Sequence, residues 1–291
     1  MTLPRLLITG ARGFLGSHLL QHLRQQSPPL FDVHVHTGRQ QSDLCQPEAL
    51  DALPAVDMVV HLAGASGPWY FEQHAAQSWQ QNLTATLNLL NWAAVNKVKH
   101  FVLASTYVYG TPRFLPVNEE HPVQPQHAYA CSKYLCEQLL QQFVRDTGMR
   151  GTALRIFNVY GSGQGTHMLI PTILRQLTKS AMTLRDALPR RDFLHVDDLS
   201  RAFIASLQLP AASVFEAINL ASGQSISVAE LVDLITELAG VAPEICYLQQ
   251  SRASEVLDVV GDISKARRLL QWRPRISMQQ GLQDLVQAVV S

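Results

Sequence analysis

Over the first half of the chain, short β-rich runs alternate with longer stretches whose apolar residues recur every three or four positions. Strands are expected at 5–9, 31–36, 58–62, 101–105 and 152–156, and helices at 14–26, 78–96 and 129–147. That alternation predicts an α/β fold with a doubly wound parallel sheet, whose ligands bind at the carboxyl ends of the strands. After Asn158 the pattern loosens. Glycines gather at Gly161, Gly163 and Gly165, a helical stretch covers 169–178, and 183–190 reads as irregular. A strand follows at 214–220, a helix at 228–239 that Ser227 is placed to cap, and helical pieces at 262–270 and 278–290 separated by Pro274. The last third therefore predicts a smaller lobe woven over the ligand edge of the sheet.

Composition narrows the function classes. The 291 residues are 47% apolar and only 16% charged, with 23 basic and 23 acidic side chains. A formal charge of zero offers no general attraction for nucleic acid or anionic lipid, so any phosphate must be held by a few placed residues. Low charge also fits a large buried fraction and a self-association surface. No apolar window approaches a membrane span, and the first residues lack the apolar run of a signal peptide. Cys45, Cys131, Cys136 and Cys246 show neither CxxC pairing nor metal-ligand spacing. A cytoplasmic protein with reduced thiols and no metal is the expectation.

The first strand runs into Thr9-Gly10-Ala11-Arg12-Gly13-Phe14-Leu15-Gly16. Glycines at such a strand–helix junction let the backbone turn tightly against a pyrophosphate, which the helix N-terminus then faces with N–H donors. An NAD-selective site usually has an acidic residue after the second strand. Here Thr37-Gly38-Arg39 follows instead. Arg39 suits a 2′-phosphate and so favours NADP over NAD, or it is a solvated loop residue.

The fourth strand ends at Ser105-Thr106, and Tyr129-x-x-x-Lys133 opens a later helix. Four-residue spacing stacks Tyr129 and Lys133 on one helical face. A phenol is by itself a poor base near neutrality, whereas an adjacent ammonium and an oxidised nicotinamide favour its anion. Ser105 is placed to hydrogen-bond the reacting oxygen. Alone, the Tyr/Lys pair is common by chance; its order behind a glycine trio and a serine-ending strand is specific.

In this combination the chain resembles the extended short-chain dehydrogenase/reductase family, the nucleotide-sugar epimerase, dehydratase and reductase group. The resemblance extends over nearly the whole chain through His61-Leu62-Ala63-Gly64, Asn82, Arg155-Ile156-Phe157-Asn158, Arg191-Asp192-Phe193-Leu194-His195-Val196-Asp197-Asp198 and Trp272-Arg273-Pro274. It implies a Rossmann-type NAD(P)-binding domain over 1–158, to which later segments return, and a nucleotide-sugar-binding lobe mainly over 159–291. It implies Ser105, Tyr129 and Lys133 as the catalytic residues. Gly10, Gly13, Phe14, Leu15, Gly16, Arg39, Asp43, Leu44, Leu62, Ala63, Gly64 and Asn82 join Tyr129 and Lys133 around the cofactor. For the substrate it implies Ser105, Thr106, Asn158, Arg191, Arg252 and Glu255, the two arginines on a diphosphate. Arg191 and Arg252 otherwise read as ordinary surface cations.

Family dehydratases carry an Asp-Glu pair where Thr106-Tyr107 stands, and without those carboxyls dehydration is disfavoured. Three functions stay open. The first is an NADP-dependent reductase of a 4-keto nucleoside-diphosphate hexose, which the resemblance to GDP-4-keto-6-deoxy-mannose reductases favours. The second is an NAD-dependent 4-epimerase, and the third a cofactor-binding sensor or scaffold without chemistry. The resemblance further implies a homodimer formed by the helices at 78–96 and 129–147. Residues that choose the sugar are expected at 64–70, Tyr107, 167–170 and 183–190.

Overall fold

The computed structural model describes residues 2–38, 43–210, 214–250 and 256–290. Its first half follows the alternation closely: β1 (Arg5–Thr9), α1 (Phe14–Arg24), β2 (Asp32–His36), β3 (Met58–His61), α2 (Pro68–Gln73), α3 (Ala75–Trp79), α4 (Ala85–Val95), β4 (His100–Thr106), α5 (Ala128–Thr147) and β5 (Arg150–Ile156). The second half adds β6 (Asn158–Tyr160), α6 (Leu169–Leu174), β7 (Ala181–Leu184), β8 (Arg190–His195), α7 (Val196–Leu207), β9 (Phe215–Leu220), β10 (Ser225–Ser227), α8 (Val228–Ala239), β11 (Glu244–Tyr247), α9 (Ser264–Leu270) and α10 (Met278–Val290).

Six parallel strands form the main sheet in the order β2-β1-β3-β4-β5-β9. Period-two alternation sends Leu6 and Ile8 to a core with Leu19 and Leu23 of α1 and Leu199 and Phe203 of α7. Leu7, Val59, Phe101 and Leu103 point to the other face, against Leu89 and Leu90 of α4 and Leu140 and Val144 of α5. Each fully buried leucine of this kind stabilises the fold by roughly 1.5–3 kcal/mol. A third core, built from Ile173, Met182, Leu231, Val232, Ile235, Leu282 and Val286, belongs to the lobe. There β10-β8-β6 and β11-β7 make two small sheets.

Three differences from the pattern have physical causes. The strand near 214–220 adds to the main sheet beside β5, because its apolar residues Ile218 and Leu220 complete the core under α7. The stretch at 78–96 is not one continuous helix. A π-helical turn at Gln80–Thr84 separates α3 from α4 and turns the Asn82 side chain inward. The segment at 183–190 is partly ordered, since β7 and β8 find partners in β11, β10 and β6 that lie far away in sequence.

Candidate active site

At the end of β1 the chain turns through Gly10, whose φ is +71°. A Cβ there would stand 2.6 Å from the amide nitrogen of Ala63. Only glycine allows the loops after β1 and β3 to approach so closely. Gly13 donates to the Gly10 carbonyl at 3.0 Å and forms the N-cap of α1 without a side-chain hydrogen bond. The first turn of α1 holds no acidic side chain, so its donors and its dipole meet no internal anion. Gly16 lies against the Gly10 carbonyl, where a Cβ would collide. This cradle fits a dinucleotide pyrophosphate beside Phe14 and Leu15.

Thr9, His61 and Thr86 fasten the cradle from below. Thr9 Oγ1 lies 2.7 Å from His61 Nδ1 and accepts from the Ala63 amide at 3.2 Å, while His61 Nε2 lies 3.1 Å from Thr86 Oγ1. Burial, helped by the nearby Lys133 ammonium, moves the His61 imidazole down to about 3, so it is neutral at physiological pH. Leu62 donates to the Thr9 carbonyl at 3.2 Å, continuing the join between the loops. Gly64 lies against Asn82, whose Oδ1 accepts from the Ala65 amide at 2.7 Å. Asn82 Nδ2 donates to the Ala65 carbonyl and, at 2.9 Å, to Ser132 Oγ. Asn82 thus ties the loop after β3 to α5. Asp43 accepts from the Cys45 amide at 3.0 Å, and the Leu44 carbonyl accepts from Asn88 at 3.0 Å. Arg39, Arg252 and Glu255 lie outside the described residues.

Helix α5 presents Tyr129 and Lys133. Tyr129 is half-buried, with the Phe71 ring 5.7 Å away. Lys133 is only 6% exposed. Among the described residues, neither the Tyr129 hydroxyl nor the Lys133 ammonium makes a hydrogen bond or ion pair within the protein. A nearly buried ammonium without a protein partner is costly unless a ligand completes its shell.

Ser105, expected at the reacting oxygen, already has a hydrogen-bond partner inside the protein. It is 3% exposed, and its hydroxyl donates to Glu137, one turn beyond Lys133 on α5. Arg155 binds the same carboxylate through Nε and Nη2 at 2.8–3.2 Å, and its Nη1 donates to the Tyr109 hydroxyl at 3.0 Å. Tyr109 in turn donates to Asn219 of β9 at 2.6 Å. Burial pushes the Tyr109 phenol up to about 12, and the Arg155 charge opposes the rise. Register explains the arrangement: Ser105 pairs with Arg155 across β4 and β5, so both side chains point to the α5 face. Thr106, the last residue of β4, points to the opposite side of the pleat and is half-buried. The buried Arg–Glu network was not read from the sequence; the signal available was Glu137 four residues after Lys133 on the same helical face.

On the lobe side, Tyr107 stacks edge-on with Phe157 at 5.1 Å and donates to the Gly110 carbonyl at 2.7 Å. Burial raises its phenol far above the usual range, and Arg191 is near enough to oppose that shift. Arg191 Nη1 donates to the carbonyls of Arg190 and Val256 at 2.8 and 2.7 Å. Asn158 donates to the Asp192 carbonyl at 3.4 Å. Asn158 thus binds beside Arg191, and Arg191 lies near Tyr107. Trp69 and His167, from two of the regions expected to select the sugar, stack with ring centroids 5.1 Å apart. Among the described residues no helix is long and apolar enough to cross a membrane, and no group of three potential metal ligands is found.

Comparison with known proteins places this geometry in context. The model of the NAD dependent epimerase/dehydratase family matches residues 6–221. The GDP-6-deoxy-D-mannose reductase of Pseudomonas aeruginosa is 31% identical over 97% of this chain and 96% of its own. A putative UDP-glucose 4-epimerase of Methanocaldococcus jannaschii is 29% identical over 97% of both chains. The structure of RMD from Pseudomonas aeruginosa complexed with NADPH superposes with a TM-score of 0.89 at 30% identity, covering 99% of each chain. The chain belongs to the NAD dependent epimerase/dehydratase family.

Proposed function

We propose that this family member is an NADPH-dependent reductase of a 4-keto group on a nucleoside-diphosphate hexose. The observation that carries the reading is the Tyr129–Lys133 pair: a half-buried phenol and a nearly buried ammonium, both without a protein partner, beside the glycine cradle. A sensor or scaffold has no need of that pair. The reductase reading draws on the likeness to RMD, whose structure holds NADPH, and on the reductase relative.

When bound, NADPH supplies the hydride that reduces the carbonyl carbon. Tyr129 gives its proton to the carbonyl oxygen, completing the secondary alcohol. Lys133 holds the nicotinamide ribose and stabilises the phenolate left behind. Ser105, on the sheet face that α5 covers, would turn its hydroxyl from Glu137 to donate a hydrogen bond to the reacting oxygen, with Thr106 assigned to the substrate by the family resemblance. Asn158 and Arg191 hold the diphosphate, with Arg252 and Glu255 assigned to the substrate by the family resemblance alone. Exposed Leu87 on α4 and Leu135 on α5 suit a homodimer packed through those helices.

The first experiment denatures the purified protein, identifies any released nicotinamide by mass, and titrates the stripped protein with NAD, NADH, NADP and NADPH. An empty site that prefers NADPH supports the reductase. Tightly retained NAD overturns it in favour of the 4-epimerase, which the Methanocaldococcus relative represents and which keeps its hydride on the enzyme between half-reactions. Binding none of the four removes both enzymatic readings.

A further inference from the structure

Helix α5 begins in an unusual way. Its N-cap is His127, in extended backbone, and the ring Nδ1 accepts a hydrogen bond from the Ala130 amide at 3.1 Å. Serine, threonine, aspartate and asparagine dominate this position because an oxygen there always accepts. An imidazole nitrogen accepts only while it lacks a proton. The His127 ring also lies parallel to the Tyr129 ring, at an interplanar angle of 3° and a centroid separation of 6.1 Å. One side chain thus closes the first turn of the helix and stands beside the phenol that the turn presents.

We propose that His127 is a pH-dependent positioning residue for Tyr129, its neutral form capping α5 and its protonated form releasing the first turn. The functional part of this inference rests on the assignment of Tyr129 as the acid. Protonation converts Nδ1 from acceptor to donor, so the Ala130 amide loses its partner. It also sets a positive charge at the positive end of the helix dipole. Desolvation moves the His127 imidazole below its ordinary value, in the direction of the capping form, while Glu72 of α2 opposes the shift. Tyr70 of α2 and His74 just beyond it stack on each other at 4.6 Å, and residues 122–126 before the cap carry no titratable side chain. Glu72 is therefore the charge from a neighbouring element that the cap answers to.

The test begins with the whole protein free of ligand. NMR signals of the His127 ring, the Ala130 amide and the Tyr129 ring are followed from about pH 8 to about pH 5, a range that brackets an ordinary histidine. The expected result is one shared midpoint for all three signals, with the Ala130 and Tyr129 transitions abolished in His127→Ser. Ala130 or Tyr129 signals that ignore the His127 titration overturn the proposal, whether or not the protein binds a nicotinamide. NADPH fluorescence titration then reads the consequence. Wild type should lose about fivefold in affinity on acidification, His127→Ser under about twofold, and His127→Ala should be about fivefold weaker already at pH 8, in line with the loss of one cap. Equal acid losses in wild type and His127→Ser overturn the coupling. Coupled NMR signals in a protein that binds no NADPH would instead refute the reductase reading and leave the cap in place.

Discussion

Two buried carboxylates, one in each half of the molecule, are stabilised in different ways. Glu137, on the inner face of α5, is balanced by a guanidinium: Arg155 grips it with both Nε and Nη2, and Ser105 adds a hydroxyl. Asp192, in the lobe, is held by neutral donors. Its Oδ1 accepts from the amide and hydroxyl of Ser222, both at 2.6 Å, and its Oδ2 from the amides of Gly223 and Gly261, both at 3.0 Å. Burial pushes the Asp192 carboxyl up while these four donors pull it down. The ion pair fixes one helix against two strands of a sheet that hydrophobic packing already orders. The neutral cage does what packing cannot, tying loops 30 and 69 residues distant in sequence to β8. Charge pairing here serves rigidity under the site, and amide pairing serves the placing of loops.

Substitutions can break that contrast, and the largest effect is expected at Glu137. Glu137→Gln strands a buried guanidinium and should cost about 3–5 kcal/mol by denaturant unfolding. Asp192→Asn strands no cation but loses charge-assisted bonds, so about 2–3 kcal/mol is expected. Equal losses, or the reverse order, would mean that the two carboxylates are not balanced differently after all. Next come Thr106→Val and Ser105→Ala, which sharpen the division between chemistry and support. Ser105→Ala should cost about 1–2 kcal/mol and lower kcat about 10- to 100-fold, and Thr106→Val should leave stability nearly unchanged with a small change in kcat. If Ser105→Ala loses stability but keeps its kcat, the Ser105 hydroxyl stays on Glu137 during turnover.

The last test varies pH. Burial lowers His61, and separately His100, from 6.5 to about 3. Both groups are neutral in the folded and unfolded states above about pH 6.5, and their contribution is complete there. As pH falls from 6.5 toward 3, the unfolded chain takes up the protons first, so stability falls by about 1.4 kcal/mol per pH unit for each histidine. His100→Gln should halve this histidine contribution to the slope, measured as unfolding free energy against pH. An unchanged slope would show that His100 does not stay neutral in the folded protein.

The strand–helix alternation, the glycine cradle and the Tyr129–Lys133 pair were legible because each depends on neighbours in sequence: period two, period 3.6, or spacing of three and four. The same periodicity ran through 78–96 without showing its π-helical turn, since that turn answers to Ala65 and Ser132 on other elements. The His127 cap was hidden for a related reason: histidine carries no strong N-cap signal, and only the Ala130 contact reveals its role. Ser105 and Thr106 are adjacent hydroxyls, of which the family resemblance assigns Ser105 to the chemistry and Thr106 to the substrate. The pleat decides between them by turning one toward Glu137 and the other to the opposite side.

By itself, the sequence determined the α/β class, the order of most elements and the family, because local periodicity and short motifs encode them. Tertiary structure alone decided that β9 joins the main sheet, that Glu137 and Arg155 share one buried network, and that Arg191 meets Tyr107. Those outcomes depend on register and burial between residues far apart in the chain, where desolvation makes every unpaired polar group costly enough to select its partner.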